Sequence, residues 1–299
     1  MEPRVPGSSP GGGTISPACA RYRNSHARFA AHTAEALGLI FRSLDGDDGY
    51  LFEVSSGDGA RRAVFSAGHG APYALNSARA HTLARDKAFA TVALARAGVN
   101  TIPCQLFFTQ DRRAASRAPG RELADARVYV RGARYPLFAK PNLGGRGEYA
   151  ERIDDAAAFD SYLTRVARDH ESIVVSPFIE GDEYRVFVLE GRALYSYRKT
   201  PAQIGAAANR SQGGGAVDFC DGAPEPLEAI ALAAARALDL QLAGIDVFDV
   251  SPGRDLSDLV IIEANANPAI ETLADVDRWD LIETIWRVNF DAALGPVPD

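Results

Sequence analysis

Along this chain the spacing of apolar residues changes period several times, and each change marks an element. Residues 27–37 carry Ala, Phe and Leu at helical spacing and stop near Gly38. Three short alternating runs follow, at residues 39–44, 50–54 and 60–66, divided by Asp/Gly turns that read as hairpins. Residues 79–97 are alanine-rich and helical, ended by Gly98 and Pro103. Residues 105–109 read as a buried strand, and residues 111–121 as a polar, Arg-rich surface connection. A strand over 135–140 enters a loop over 141–148, and a helix spans 154–168 with Asp154 or Asp155 as its N-cap. Residues 173–175 form a strand that Ser176-Pro177-Phe178-Ile179 breaks. Residues 184–189 and 192–197 make a hairpin around Glu190-Gly191, and a polar loop over 201–215 precedes a helix over 226–238. Strands over 243–250 and 259–264 pair across a polar turn, and a last helix covers 278–293. No internal repeat is present. The Pro/Gly/Ser-rich residues 1–17 read as a disordered tail.

Composition narrows the class. At 299 residues, with 46% hydrophobic and 24% charged residues, the chain is an ordinary globular protein of two or three lobes. A formal charge of −7 argues against general nucleic-acid binding. No apolar run approaches the roughly 20 residues that span a bilayer, and the opening segment lacks the apolar core of a secretory signal. Cys19, Cys104 and Cys220 are far apart and in no metal-ligand spacing, as expected for reduced thiols of a cytosolic protein. The five histidines are scattered and suggest no chemistry. Of 32 basic residues only Lys87, Lys140 and Lys199 are lysines. A compact ammonium reaches a phosphate oxygen where a planar guanidinium does not fit, so these three positions stand out.

Three constellations carry chemistry. The first runs from Phe138 to Glu148: a strand ends in Lys140 and enters a loop with Gly144, Gly145 and Gly147. Glycines let backbone N–H groups cradle phosphate oxygens, although no Lys-Ser/Thr follows them, so this is not a Walker A loop. The second is the strand ending at Ser176-Pro177-Phe178-Ile179, whose interrupted backbone suits an adenine edge, with Glu183 placed to accept from ribose hydroxyls. The third is Gly244-Ile-Asp246 followed by Glu263-Ala-Asn265. On paired strands these put two carboxylates and an amide oxygen on one face, a hard oxygen site that suits Mg²⁺ shared with nucleotide phosphates. Unpaired carboxylates among Ile and Val are otherwise costly.

Taken together, Lys87, Lys140, the Ser176–Glu183 hinge, Lys199, Asp246 and Glu263-x-Asn265 resemble, in order and spacing, the ATP-grasp carboxylate–amine ligases. D-alanine–D-alanine ligase, the ribosomal-protein glutamate ligases and lysine-biosynthesis carrier-protein ligases are similar over residues 79–273. Residues 34–86 resemble the segment before the ATP-grasp module of cyanophycin synthetase and bifunctional glutathione synthetase, where Tyr73 and Asn76 have counterparts. The Asn209-Arg210-Ser211-Gln212 loop is similar to that of glutamate-adding members.

The resemblance implies an α+β ATP-grasp fold, two α+β lobes gripping ATP behind a small α/β N-terminal domain. The expected bounds are 18–84 for that domain, 85–178 for the small lobe and 179–299 for the large lobe. It also implies contacts from Lys87, Lys140 and the glycine loop to ATP phosphates, and from Ser176, Phe178 and Ile179 to adenine. Glu183 would meet the ribose, and Asp246, Glu263 and Asn265 would hold two Mg²⁺. Lys199 and Arg210 would attend the transferring phosphoryl group and the acyl phosphate. Tyr73, Asn76, Arg185, Ser211 and Glu271 are candidate substrate contacts. The implied activity joins an amino-acid-like carboxylate to an amine in the cytoplasm, with small amino-acid or peptide substrates and no nucleic-acid or membrane partner; homo-oligomerisation stays open. Departures are Arg146 where a smaller residue is common, Gln212, Ala269, and Gly244 where D-alanine–D-alanine ligase has an arginine, whose work would fall to Arg210 or Arg185. Two other classes stay open: an ATP-grasp kinase, and a non-catalytic ATP-binding regulator.

Overall fold

The computed structural model describes residues 17–67, 73–145, 147–200 and 214–296. Arg146, Arg210, Ser211 and the expected tail up to residue 16 lie outside the described residues. The chain forms two compact units, one from residues 1–75 with 269–299, the other from residues 76–268.

In the first unit α1 (Pro17–Ala20) leads into α2 (Ser25–Ala36). The side chain of Asn24 caps α2 by accepting from the N–H groups of His26 and Ala27. Ala27, Ala30, Ala31 and Ala34 make its buried stripe, at the spacing that keeps residues on one helical face. β1 (Ile40–Ser43), β2 (Leu51–Ser55) and β3 (Arg62–Ser66) form an antiparallel meander. The first turn is tied by Asp45, whose carboxylate accepts from the N–H groups of Gly49, Tyr50 and Leu51. Hairpins this short impose antiparallel pairing, so this unit is α+β and not the expected α/β.

The second unit begins with α3 (Ala78–Arg85) and α4 (Lys87–Arg96). Where one helix is expected over 79–97, Asp86 adopts an extended conformation, ends α3 and caps α4 by accepting from Phe89 N. Then come β4 (Gln105–Phe108), α5 (Leu123–Gly132), β5 (Leu137–Pro141), β6 (Glu151–Ile153), α6 (Ala156–Val166) and β7 (Ser172–Pro177). These strands form an antiparallel sheet in the order β4-β7-β5-β6, and α5 and α6 share a core with it through Ala126, Val130, Phe159 and Leu163. β8 (Asp182–Leu189), β9 (Arg192–Thr200), β10 (Gly215–Asp221), α7 (Glu225–Ala237), β11 (Leu242–Asp249) and β12 (Leu259–Asn265) complete the unit. Their sheet runs β10-β9-β8-β11-β12. Ala80, Ala84, Ala90 and Leu94 pack into its core with Leu227, Ala231 and Ile245. Residues 85–99 therefore belong with the larger sheet and not, as the sequence suggested, with the small lobe.

After residue 268 the chain returns to the first unit as α8 (Glu271–Asp275) and α9 (Trp279–Leu294). Trp286 and Phe290 of α9 meet Phe65 at ring separations of 6.4 and 6.0 Å. The expected large lobe over 179–299 is thus divided, its last residues completing the N-terminal core. Among the described residues no helix is long and apolar enough to cross a membrane.

Candidate active site

Alternation along the strands sets the site. In β5, Leu137, Ala139 and Pro141 are buried, which leaves Phe138 and Lys140 on the opposite face. Phe138 and Lys140 line a cavity of about 810 Å³ that also takes in Lys87, Glu183, Arg185, Lys199, Asp246, Glu263 and Asn265. Gly144, Gly145 and Gly147 line it from the loop, and Ser176, Phe178 and Ile179 from the end of β7. The second unit by itself thus gathers every sequence-predicted phosphate, adenine, ribose and metal residue that it describes.

Charge inside this cavity is paired. β11 and β12 set Asp246 opposite Glu263 and Gly244 opposite Asn265, with a bulge just after Asp246. Arg185, opposite Asp246 on β8, donates from Nε to Oδ1 at 2.5 Å and from Nη2 to Oδ2 at 2.9 Å. Lys199 Nζ stands 2.8 Å from Asp246 Oδ1 and 2.6 Å from Glu183 Oε1. Glu263 faces two ammonium groups, Lys87 at 3.5 Å and Lys140 at 3.4 Å, and Lys87 also donates to Gly144 O at 2.8 Å.

The electrostatics follow from this pairing. Burial alone raises the Asp246 pKa, but Arg185 and Lys199 outweigh it and hold the carboxyl at about 2. Glu263 is likewise pushed up by burial and pulled lower overall by Lys140 and Lys87. Burial lowers Lys87, with Glu263 opposing, whereas at Lys199 the Asp246 and Glu183 charges overcome burial and raise it. Both acids are therefore ionised, and the Lys199 ammonium and Arg185 guanidinium charged, near neutrality.

The donor set is compatible with a magnesium ion. Among the described residues no three of His, Cys, Asp and Glu form a self-sufficient metal cage. Mg²⁺ ordinarily takes only one or two carboxylates from a protein and the rest of its shell from phosphate and water. Glu263 presents both oxygens to cations, and the Asn265 oxygen, which accepts from Asn267 N at 2.9 Å, retains a second lone pair.

At the hinge, Phe178 N donates to Pro136 O at 3.1 Å, so that N–H is already engaged and Ile179 is the next backbone on the cavity wall. The Asn76 side chain is saturated by backbone: Nδ2 donates to Leu242 O and Ala266 O, and Oδ1 accepts from Gln241 N and Leu242 N. It is a fastener of the second unit rather than an open substrate contact. Tyr73 and Glu271 belong to the first unit, where Tyr73 Oη lies 3.4 Å from His26 Nδ1 and Ser25 donates to Glu271 at 2.7 Å. Cavity residues that the sequence did not single out include Cys104, Arg152 and His170.

The profile of the RimK-like ATP-grasp domain matches residues 84–287. The chain belongs to the RimK-like ATP-grasp family. A probable alpha-L-glutamate ligase of Shewanella halifaxensis is 29% identical over 211 residues, covering 70% of this chain and 42% of that protein. One of Mannheimia succiniciproducens is 26% identical over 210 residues, covering 69% of this chain and 64% of that protein. The chain thus spans less than two thirds of the length of these ATP-grasp relatives. Among solved structures, a bifunctional glutathione synthetase from Pasteurella multocida is similar with a TM-score of 0.51 at 16% identity, over 88% of this chain and 45% of that chain. The fold is the ATP-grasp fold, with antiparallel sheets and helices mixed as α+β.

Proposed function

We propose that this protein is an ATP-dependent carboxylate–amine ligase that joins an amino-acid-like carboxylate to an amine and releases ADP and phosphate. The observation that carries the reading is the convergence of all three lysines with Glu183, Asp246 and Glu263 in one cavity. A triphosphate brings the negative charge that Lys87, Lys140 and Lys199 otherwise find on the carboxylates. Asp246, Glu263 and Asn265 would then hold Mg²⁺, two ions in this reading, which neutralises phosphate charge as the phosphoryl group transfers. Glu183 would accept from the ribose, and Ser176, Phe178 and Ile179 would border the adenine.

The chemistry runs in two steps. A substrate carboxylate oxygen attacks the γ-phosphorus, the bond to the β-phosphate oxygen breaks, and ADP leaves with an acyl phosphate formed. An amine nitrogen then attacks the acyl carbon, and the tetrahedral adduct loses phosphate and a proton to give the amide. Lys199 and Arg210 would supply positive charge to the transferring phosphoryl group and the acyl phosphate, with Arg185 and Ser211 as candidate substrate contacts. The names of the curated relatives make glutamate the first donor or acceptor to try, with small amino acids or peptides as partners.

The test is an ADP-release screen over pairs of amino acids and short peptides, with mass spectrometry of products. Amine-dependent ADP release with a condensed product supports the ligase. A phosphorylated product without amine dependence would make it a kinase, and ATP binding without any turnover a regulator.

A further inference from the structure

The glycine-rich loop carries an acid where a triphosphate would make one unwelcome. Glu148 lines the same cavity as Gly144, Gly145 and Gly147, and its side chain is 64% exposed. Like charges a few ångströms apart in a partly dry cavity repel appreciably. Among the described residues the nearby basic groups are engaged elsewhere: Lys87 and Lys140 with Glu263, Arg152 with Asp154, and Arg165 with Glu151.

Among the described residues the ring nitrogen within reach of the Glu148 carboxylate is His170 Nε2, 3.9 Å from Oε2. That Nε2 is fully buried and makes no hydrogen bond, a state that ordinarily costs free energy and calls for an explanation. The rest of the ring is set against the loop: Tyr149 meets it edge-on at 5.5 Å, and a β-carbon on Gly144 would lie 3.6 Å from Cε1. The backbone beneath is pinned, because His170 N donates to Val166 O, Thr109 Oγ1 donates to His170 O, and Asn142 N donates to Ser172 O. The ring therefore stands on a fixed base while its loop partner is exposed.

We propose that His170 is a positioning residue of the nucleotide site, whose Nε2–H draws the Glu148 carboxylate onto the base of the loop and away from the phosphates. The inference rests on the reading of this cavity as an ATP site. His170 touches no reacting atom; it acts through Glu148, and the glycine N–H groups are left to face the phosphates without a competing anion.

The test is a mutant cycle on the full chain, read by ATP titration calorimetry and by KM and kcat for ADP release. His170→Phe keeps the ring packing and removes the donor; its ATP affinity should fall about tenfold while kcat at saturating ATP stays within about twofold. His170→Gln, which retains an N–H donor, should bind as the wild type does. The deciding variant is Glu148→Gln in the His170→Phe background, which should restore affinity, because a purely structural defect is not repaired by removing a charge. Should His170→Phe fail to fold, His170→Ala takes its place in the cycle, with melting curves run on each variant. An undiminished affinity in the donor-less variants, a loss that Glu148→Gln leaves unrepaired, or a weaker affinity in Glu148→Gln alone overturns the proposal. Failure of the wild type to bind ATP overturns the ATP reading itself, and the proposal with it.

Discussion

Arg185 and Gly244 share one small volume: a β-carbon placed on Gly244 would stand 2.8 Å from Arg185 Nη1 and 2.8 Å from Pro268 Cβ. The guanidinium of β8 thus occupies the space above a glycine of β11, two residues before the Asp246 that it grips with two hydrogen bonds. A side chain at position 244 would press on that guanidinium and on Pro268 at once.

Gly244→Ala should therefore disturb Arg185 before anything else. The added methyl is expected to lower stability by about 1–3 kcal/mol, the usual cost of overpacking, and to reduce kcat/KM for ligation about tenfold or more. Thermal melts and ADP-release kinetics on the purified variant check this. Wild-type values for both would mean that the guanidinium moves aside freely.

The lysines give a sharper test. Lys199 is 5% exposed at its side chain and holds Glu183 and Asp246 at once. Lys140→Arg and Lys199→Arg keep the charge but widen it and flatten it, and each should cost tenfold or more in kcat/KM, at least about 1.4 kcal/mol of transition-state stabilisation. Steady-state kinetics decide, with circular dichroism as the control for folding. Arginine is the default cation elsewhere in the chain, so unchanged rates would remove the lysines from the ATP assignment.

Glu263→Gln retains shape and removes the charge that faces Lys87 and Lys140. It should preserve the fold and abolish most ADP release, and added Mg²⁺ should rescue it only weakly. Turnover at the wild-type rate would place the metal elsewhere.

Acid should weaken the first unit well above the pH at which Asp246 titrates. Burial between Tyr73 and Trp286 lowers the His26 pKa to about 4, with Glu271 opposing. An unfolded chain takes that proton near about 6.5, so between these values the unfolded state binds more protons. Stability falls as pH drops through that window, by up to roughly 1.4 kcal/mol per unit. Asp246 acts lower: its contribution is intact above about pH 4 and is lost toward about pH 2. Melting temperature against pH should show the first slope in the wild type and a flatter one in His26→Gln; equal slopes would assign it to another group.

Much of this was legible in the sequence because the signals are local. The strand periods around Asp246 and Glu263 gave the strand pairing in which Asp246 stands opposite Glu263, and the rarity of lysine singled out the three lysines of the cavity. What escaped depended on distance. Asp86 looks like one more polar residue in an alanine-rich helix until its carboxylate is seen capping α4. α5 passed unread, although its Glu122 and Asp125 form a capping box. His170 stands alone in the sequence, and its place beside Gly144 and Tyr149 shows only in the fold. The destination of α9 was illegible, because an amphipathic helix does not say which sheet it covers.

That destination has a consequence for synthesis. The first unit needs Trp286 and Phe290 to fill its core beside Phe52 and Phe65, so its leading residues reach their final packing only after the residues beyond 268 have been made. The 193 residues between the two halves of that unit hold their own two sheets and can fold in the meantime. A truncation at residue 268, which looks harmless beside an intact cavity, would leave the meander without the Trp286 and Phe290 rings that pack on Phe52 and Phe65.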